Sequence, residues 1–309
     1  MGVVGRLNCR SITLMIPRIG FLFGLLASVA TAQLDSVRLE QLTGLKGSWN
    51  GEHRVFKVTA PRNDLPIAVD GWKMPPFMGL TSWAAFTTGK AEGAMVMGDL
   101  VLFEDEVNPI MSALLGAGLE VTALHNHFFY DEPRVYFMHL AGEGTAEQLA
   151  TGVGLALAKQ REIRTANPAP RHGFGGVIPS PSRITAAPLE AVLAAKAQSK
   201  DGMVKFVIGR EATMECGCKV GADMGVITWA AFAGTDDDAV VDGDFAVREA
   251  ELQPVLKSLR TAAINIVAIH HHMTGEEPRI LFLHYWGRGP AVALAHSLQQ
   301  TLVVQQGVK

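Results

Sequence analysis

The chain has 309 residues, of which 48% are hydrophobic and 18% are charged, and its formal net charge at pH 7 is −3. A chain of this length and apolar content can form one or two substantial cores. The slightly acidic balance excludes a basic surface for nucleic acid or for an anionic membrane.

The first 32 residues have the pattern of a secretory signal peptide. Its parts are three arginines without an acid (Arg6, Arg10 and Arg18), an apolar run at 19–29 and a small-residue cleavage site at 30–32. The apolar run is too short to span a bilayer as a helix. We therefore predict an exported protein, periplasmic or secreted, that starts near Gln33 and has no integral membrane segment in its mature chain. Removing the three arginines leaves 24 basic and 30 acidic residues, a net charge of −6.

After this leader, helical and strand patterns alternate along the chain. A short helix is expected at residues 36–45, followed by strands around Phe56, at 83–86 and at 98–102. An acid in the first turn and a proline near the start predict a second helix that opens at 106–109. A hairpin follows, and a third helix begins near Thr145. Helices interleaved with hairpins indicate an α+β fold, in which helices pack on a mainly antiparallel sheet.

The second half of the chain repeats the first at an offset that falls from 150 to 145 residues. Matching residues are Leu39 and Leu189, Phe56 and Phe206, Trp83 and Trp229, Asp99 and Asp244, and Pro109 and Pro254. The first helix of the second copy is accordingly expected at 189–198. A unit of more than a hundred residues is too long for a solenoid repeat. We predict two copies of one domain, at 33–165 and 185–309, joined by an exposed Pro/Gly-rich linker at 166–184.

Three histidines recur at matching positions of the two copies. They are His125, His127 and His139 in the first copy, and His270, His272 and His284 in the second. In a strand, residues two apart share a face. If the hairpin places His125 opposite His139, then His127 lies opposite Phe137, and the three imidazoles converge on one face. The same register in the second copy pairs His270 with His284.

Three neutral imidazoles with open positions beside them predict a divalent transition-metal site in each copy. An all-nitrogen donor set favours zinc or copper and argues against calcium and magnesium. A single histidine in a strand is more often a core residue. Three histidines on one face, repeated in both copies, favour a metal site instead. The spacing His125-Asn126-His127 makes the first copy the expected better site, since the second has an additional His271.

An acidic-Pro-Arg turn follows each histidine pair. Glu132 and Glu277 are candidates for a fourth ligand, a partner of a ligand or a catalytic general base. Arg134 and Arg279 are candidates for binding an anionic substrate. The alternative is a plain polar turn with a surface ion pair of small energetic value.

Two other repeated or paired features have a structural interpretation. Asp99 and Asp244 each follow a glycine, and we expect them at turns or strand ends rather than as ligands. Cys216 and Cys218 are separated by one glycine, so a disulfide between them would close a strained ring. A local thiol pair without a role is expected, with soft-metal binding as the alternative.

Several of these motifs together resemble the LppY/LpqO family of exported bacterial proteins. They are the segments at 98–102, 106–109, 123–127, 132–134 and 137–139, with their second-copy equivalents. The resemblance covers nearly all of the chain after the leader and implies a location in the cell envelope. It implies no particular activity. Cys9 precedes the apolar run, so the acylated cysteine of the lipoprotein-like members has no counterpart here.

The leading hypothesis is an exported transition-metal-binding protein that could be a metal-dependent enzyme. Its metal would activate water or dioxygen, with Glu132 or Glu277 moving protons. The alternative is a non-enzymatic envelope module that binds a ligand or a polysaccharide in the cleft between the repeats. A third class, metal storage or delivery, requires exposed and exchangeable sites. The expected partner is an unknown small molecule or envelope component.

Overall fold

A computed structural model describes residues 1–2, 34–89, 93–173 and 175–308. Apart from Met1 and Gly2, the signal-peptide prediction and its start near Gln33 lie outside the described residues. The elements of the first half are α1 (Ser36–Thr43), β1 (Gly47–Asn50), β2 (Val55–Pro61), β3 (Ala68–Val69), β4 (Trp72–Lys73), β5 (Thr81–Thr87), β6 (Ala94–Phe103), α2 (Glu104–Gly116), β7 (Glu120–His125), β8 (Asp131–Glu132), β9 (Val135–Gly144) and α3 (Ala146–Ala166). Those of the second half are α4 (Ala186–Leu193), β10 (Gln198–Lys200), β11 (Met203–Gly209), β12 (Ala212–Met214), β13 (Lys219–Val220), β14 (Ile227–Gly234), β15 (Ala239–Arg248), α5 (Glu249–Thr261), β16 (Asn265–His270), β17 (Glu276–Glu277), β18 (Ile280–Gly289) and α6 (Ala291–Gly307).

Across the described ranges, the two halves contain the same elements in the same order. Each half has a helix, six strands, a second helix, three strands and a third helix. The long strands form one antiparallel sheet in the order β1-β2-β5-β6-β9-β7-β16-β18-β15-β14-β11-β10. The α+β class and the internal duplication predicted from the sequence are confirmed. The sequence did not indicate that the sheets of the two copies join into one.

The copies meet where β7 lies beside β16, with Leu124 paired to Ile269. A side-chain amide from each copy binds the backbone of the other. Asn108 donates to the Ile266 carbonyl over 3.0 Å and accepts from its N–H over 2.7 Å. Gln253 makes the equivalent bonds to Val121, at 2.9 and 3.1 Å. Both strands have a register shift here, so the amides satisfy backbone groups beside an irregular ladder.

The helices cover one face of this sheet. Strand residues alternate between faces, so Leu100 and Leu102 of β6 join the main core, which also includes Ile110 and Met111 of α2. The intervening Val101 and Phe103 belong to a second, smaller core on the opposite face. None of the helices in the described part of the chain is long and apolar enough to cross a membrane.

Two small three-stranded sheets lie over the face opposite the helices. One has the order β4-β3-β8 and the other β13-β12-β17. Each covers a small apolar core, which includes Val101, Phe103 and Phe137 in the first copy, and Ala246 and Phe282 in the second. The ends of β7 and β16, which carry histidines, lie beside these small cores.

Each copy contains a buried arginine–glutamate pair that joins a strand end to a helix start. Arg62 is 4% exposed and binds the fully buried Glu106 through two hydrogen bonds of 2.6 and 2.7 Å. Arg210 and Glu251 form the equivalent pair. Glu106 also accepts from the Phe103 N–H over 2.9 Å, so the carboxylate caps α2 as well as pairing with the arginine.

The bounds of three helices differ from the sequence-based prediction, and the first of them, α1, ends two residues before its predicted end. The second-copy helix α4 begins three residues earlier than expected and ends at Leu193, because Ala194 adopts a left-handed conformation with φ of 50°. Pro188 is accepted in its first turn, where a backbone N–H has no helical partner. Helix α2 begins at Glu104, two residues before the predicted start.

Candidate metal centre

In each copy, one of the three repeated histidines ends a strand, one lies in the adjacent strand and one lies in the loop between them. His125 and His270 are the last residues of β7 and β16, and His139 and His284 lie in the adjacent β9 and β18. The remaining two follow in the loops after the first pair. Since Leu124 and Ile269 face the helices and are buried, His125 and His270 point to the opposite face of the sheet. The histidines of both copies therefore share one face.

The register of each histidine hairpin differs from the expectation by two residues. His125 lies opposite Phe137, and His139 lies opposite Ala123. In the second copy, His270 lies opposite Phe282 and Ala268 opposite His284. The predicted register was wrong because β7 and β16 end at the first histidine of each pair, so the second histidine lies in the loop rather than in the strand. A shift by two keeps every side chain on its face, so the histidines become diagonal neighbours.

The imidazole rings of each triplet lie close together. In the first copy the ring centroids of His125 are 5.1 Å from those of both His127 and His139. His127 stacks on Phe137 at 3.4 Å. The second copy has the same arrangement, with His270 5.1 Å from His272 and 4.8 Å from His284.

An aspartate in the middle of a strand completes each group. Asp99 of β6 lies directly opposite His139, and Asp244 of β15 lies directly opposite His284. The expectation that these residues occupy turns or strand ends was wrong. Asp244 is 1% exposed. One ligand atom each from Asp244, His270 and His284 lies within 4.8 Å of the others, which makes these three residues a potential metal-binding group.

Buried polar atoms without a hydrogen-bond partner mark the same positions. Among the described residues they include Asp99 Oδ1, Asp244 Oδ1 and His270 Nδ1. The other carboxylate oxygen of Asp244 lies 3.6 Å from His272 Nε2 and 3.9 Å from His284 Nδ1. Buried polar groups are nearly always satisfied in folded proteins, so their concentration here is unusual. A cation between these atoms would satisfy them.

Burial controls the protonation of these groups. Desolvation raises the pKa of Asp244 to about 6, although nearby His284 acts in the opposite direction. Desolvation also lowers the pKa of His270 to about 4, and the neighbouring imidazole of His284 contributes in the same sense. Burial raises the pKa of Asp99 and lowers that of His127. At neutral pH, His270 is therefore neutral and Asp244 is mainly ionised, which are the forms that bind metal.

The glycine before each aspartate has a packing role. A Cβ at Gly243 would lie 2.1 Å from the Tyr285 hydroxyl and 2.3 Å from the Trp229 carbonyl oxygen. That hydroxyl donates to the Trp229 carbonyl over 2.9 Å. The repeated Gly-Asp pairs were visible in the sequence. Their repetition within a strand pattern was the signal that could have placed the aspartates beside the histidines.

The two glutamates of the predicted turns lie in the small sheets. Glu132 and Glu277 are exposed and pair with Ala68 and Thr213. Within the described ranges, neither forms a hydrogen bond or ion pair with a histidine, so their proposed roles stay predictions.

The two arginines of the turn are also exposed. Arg134 Nη1 lies 3.7 Å from Glu104 Oε1, and its side chain is 61% exposed. Arg279 is exposed at the equivalent position of the second copy.

The two cysteines lie in the connection between β12 and β13. Both are exposed and carry free thiols. The Cys218 N–H donates to Cys216 Sγ over 3.4 Å. A hydrogen bond from the Cys218 thiol lowers the pKa of Cys216.

Comparison with known proteins identifies the family. The family model described as "Domain of Unknown Function (DUF1259)" matches residues 37–159 and 187–304. The chain belongs to this family and carries two copies of its domain. No curated protein matches the chain. Among solved structures, it is similar to a trimeric bacterial microcompartment shell protein, PduB, with 11% identity over 84% of this chain and 93% of that chain. The TM-score of 0.22 is too low to support any argument about fold or function.

Proposed function

We propose that the protein is an exported transition-metal-binding protein with one Asp-His-His site in each repeat. The second site consists of Asp244, His270 and His284, and the first of Asp99, His125 and His139. His272 and His127 lie beside them as additional donors. The main support is the cluster of buried, unpartnered ligand atoms, Asp99 Oδ1, Asp244 Oδ1 and His270 Nδ1. Location in the cell envelope and the finer LppY/LpqO resemblance belong to the same proposal.

The set of ligand atoms limits which metal ion the site would bind. Two imidazoles and one carboxylate with open positions are typical of catalytic zinc sites and of non-haem iron sites. Copper, which the sequence alone favoured equally with zinc, gains nothing from the added carboxylate. Zinc–nitrogen bonds of about 2.0–2.1 Å require donor atoms about 3.4 Å apart in a tetrahedral shell. Small side-chain rotations would bring the three ligand atoms, which now lie within 4.8 Å, to that separation.

Metal-dependent catalysis is the finer part of the proposal. A metal held by three protein ligands supplies activated water or polarises a bound oxygen ligand. The chain's own contribution is to hold the imidazoles unprotonated on a rigid sheet. Glu132 or Glu277 would accept the proton, and Arg134 or Arg279 would bind an anionic substrate. Glu132 and Glu277 lie on the small sheets, and Arg134 and Arg279 lie in the connections that follow them, so these side chains would act only if substrate binding brings them to the metal.

The experiment that tests this proposal is elemental analysis of the mature protein purified without chelator. We expect stoichiometric zinc or iron, and loss of one equivalent on replacing both His270 and His284 by alanine. His296→Ala is the matched control, because His296 is exposed on α6 and belongs to neither site. Protein that carries no metal, and that takes up none of zinc, copper, nickel or iron on titration, would show the metal proposal to be wrong. A non-enzymatic ligand-binding module would then be the better account.

A further inference from the structure

A separate cavity lies on the helix-covered side, where the two repeats meet. Its volume is about 430 Å³, which is within the range of small-molecule sites. The first repeat contributes Val107 of α2 and Tyr136 of β9, and the second contributes Arg260, Ile266 and Val267. Its wall therefore combines apolar side chains with a guanidinium and a phenol.

Arg260 lines this cavity without a carboxylate partner. Its Nε donates to Ser112 Oγ over 3.0 Å, and its Nη1 donates to the Ile264 carbonyl over 2.8 Å and to Asn265 Oδ1 over 3.0 Å. No hydrogen bond from Nη2 occurs within the described ranges. Burial lowers the pKa of Arg260, and no nearby acid opposes this effect. The guanidinium is therefore a desolvated positive charge without a counter-charge.

Each of the two acidic residues of the cavity wall lies beside an arginine, while Asp105 Oδ1 is buried without a hydrogen-bond partner in the described part of the chain. Glu104 lies 3.7 Å from both Arg134 and His172. Asp105 accepts from Arg164 and from the backbone N–H of Arg171.

A second cation of the cavity wall also lacks an acid. The Arg171 side chain donates to the neutral Asn167 side chain over 3.2 Å. Among the described side chains of the wall, the charge left without a partner is positive.

The other half of the molecule lacks this site. At the positions equivalent to Arg260, Asn265 and Tyr136, the chain has Leu115, Glu120 and Leu281. The pseudo-symmetric location therefore has neither the guanidinium nor the phenol and has an added acid. At the position equivalent to Arg260, Leu115 is 5% exposed and belongs to the main apolar core.

We propose that the cavity binds a small organic carboxylate, whose charged end pairs with Arg260 and whose apolar body lies against Val107 and Ile266. The free Nη2 group donates to one carboxylate oxygen, and the Tyr136 hydroxyl is placed at the same wall for the other. This site is independent of the metal centre, because it lies on the opposite face of the sheet.

Benzoate is a suitable probe, and benzamide is its neutral counterpart of nearly equal shape. The experiment is calorimetric titration of the metal-free mature protein with each compound at constant ionic strength. We expect saturable binding of benzoate and none of benzamide. Arg260→Gln should weaken benzoate binding by at least about tenfold, the effect of losing one charge-assisted hydrogen bond. Arg183→Gln, an exposed arginine outside the cavity, should leave it unchanged.

Val267→Trp is a second variant. Val267 lines the cavity and is 43% exposed, so the larger tryptophan side chain would fill the cavity. This variant should abolish benzoate binding while keeping the guanidinium and the fold. Replacing His270 and His284 by alanine should leave benzoate binding unaltered, which separates this site from the metal centre. Equal affinity for benzamide, unaltered benzoate binding in Arg260→Gln or Val267→Trp, or absence of benzoate binding would each overturn the proposal.

Discussion

The two copies of the candidate metal centre differ mainly in the residues around the same aspartate and histidine positions. Both have an aspartate opposite a histidine, and a second histidine at the end of the neighbouring strand. In the second copy Asp242 precedes the site by two residues on the same face, and in the first copy Met97 occupies that position. Only the second copy brings three ligand atoms within 4.8 Å among the described residues.

The loops after the strands differ in the same way. In the first copy the Asn126 side chain donates to the Val135 carbonyl over 3.1 Å and so fixes the loop. The second copy has the exposed His271 at this position. The sequence-based preference for the first copy is not supported, since it considered only the histidine spacing. The comparison teaches that the strands keep the candidate ligands of both copies, whereas the neighbouring charges and loops differ between them.

The largest expected effect follows from removing the aspartate. Asp244→Asn keeps the shape of the side chain but loses its charge, so the zinc affinity of the second site should fall at least about 100-fold. The measurement is competition with a chromogenic chelator, in a protein whose first site is removed by His125→Ala and His139→Ala. Asp99→Asn in the same background is the control and should change nothing. Unchanged zinc affinity in Asp244→Asn would mean that the carboxylate is not a ligand.

The buried ion pairs offer a second comparison between the copies. Glu106→Ala removes the fully buried carboxylate that pairs with both Arg62 and Arg164 and leaves Arg62 with only the part-exposed Asp64, so the free energy of unfolding should fall by about 3–5 kcal/mol. Glu251→Ala should cost less, because Arg210 and Arg248 are 24% and 40% exposed and can be solvated. Urea denaturation measures both.

Glu147→Ala is the control for these two variants. Glu147 pairs with Arg38 at the surface, where both side chains are largely exposed, so its loss should cost less than about 1 kcal/mol. A Glu106→Ala protein as stable as this control would show that the buried pair contributes no net stability.

The Glu251 pair also predicts a pH dependence. Burial alone would raise the pKa of Glu251, but hydrogen bonds from Arg210, Arg248 and Gln305 overcome this effect and hold it at about 2. Because the folded-state pKa is depressed, the stabilisation is complete above about pH 4.5 and is lost as pH falls toward 2. The loss is of the order of 3 kcal/mol.

Chemical denaturation between pH 6 and pH 2 tests this dependence. The stability of Glu251→Gln should fall less over this window than that of the unmodified protein. Parallel curves for the two proteins would contradict the assignment.

The sequence could predict much of this fold because duplication and strand alternation fix which residues share a face. The Trp83–Phe86 segment (β5) and the strand with Asp99 (β6) are examples, since each recurs in the second copy with the same pattern. Alternation also placed the histidines on one face despite the two-residue error in register. That error arose because β7 ends at His125, so His127 lies in the loop rather than in the strand, which the apolar pattern does not show.

Long-range features of the site could not be predicted from local patterns. A Gly-Asp pair is typical of turns, so the sequence did not predict Asp99 and Asp244 as ligands. Only the strand pairing places them opposite His139 and His284. Strands β7 and β16 pair although their residues lie about 145 positions apart in the chain. No local sequence pattern predicts this pairing. The position of Arg260, which forms no ion pair with the described carboxylates, likewise depends on packing between two distant helices.

The smallest expected effect comes from transferring one charge between the copies. In the second site Asp242 interacts electrostatically with His284. Met97 occupies the equivalent position and is 51% exposed, so Met97→Asp should cost less than about 0.5 kcal/mol of stability. The added negative charge lies two residues from Asp99, about 7 Å along the strand, and should attract a cation to the first site. We expect zinc affinity there to rise by between about twofold and tenfold. Met95→Asp adds the same charge about 13 Å from Asp99 and should have a smaller effect. If both variants raise the affinity equally, general charge rather than the position of Asp242 distinguishes the two sites.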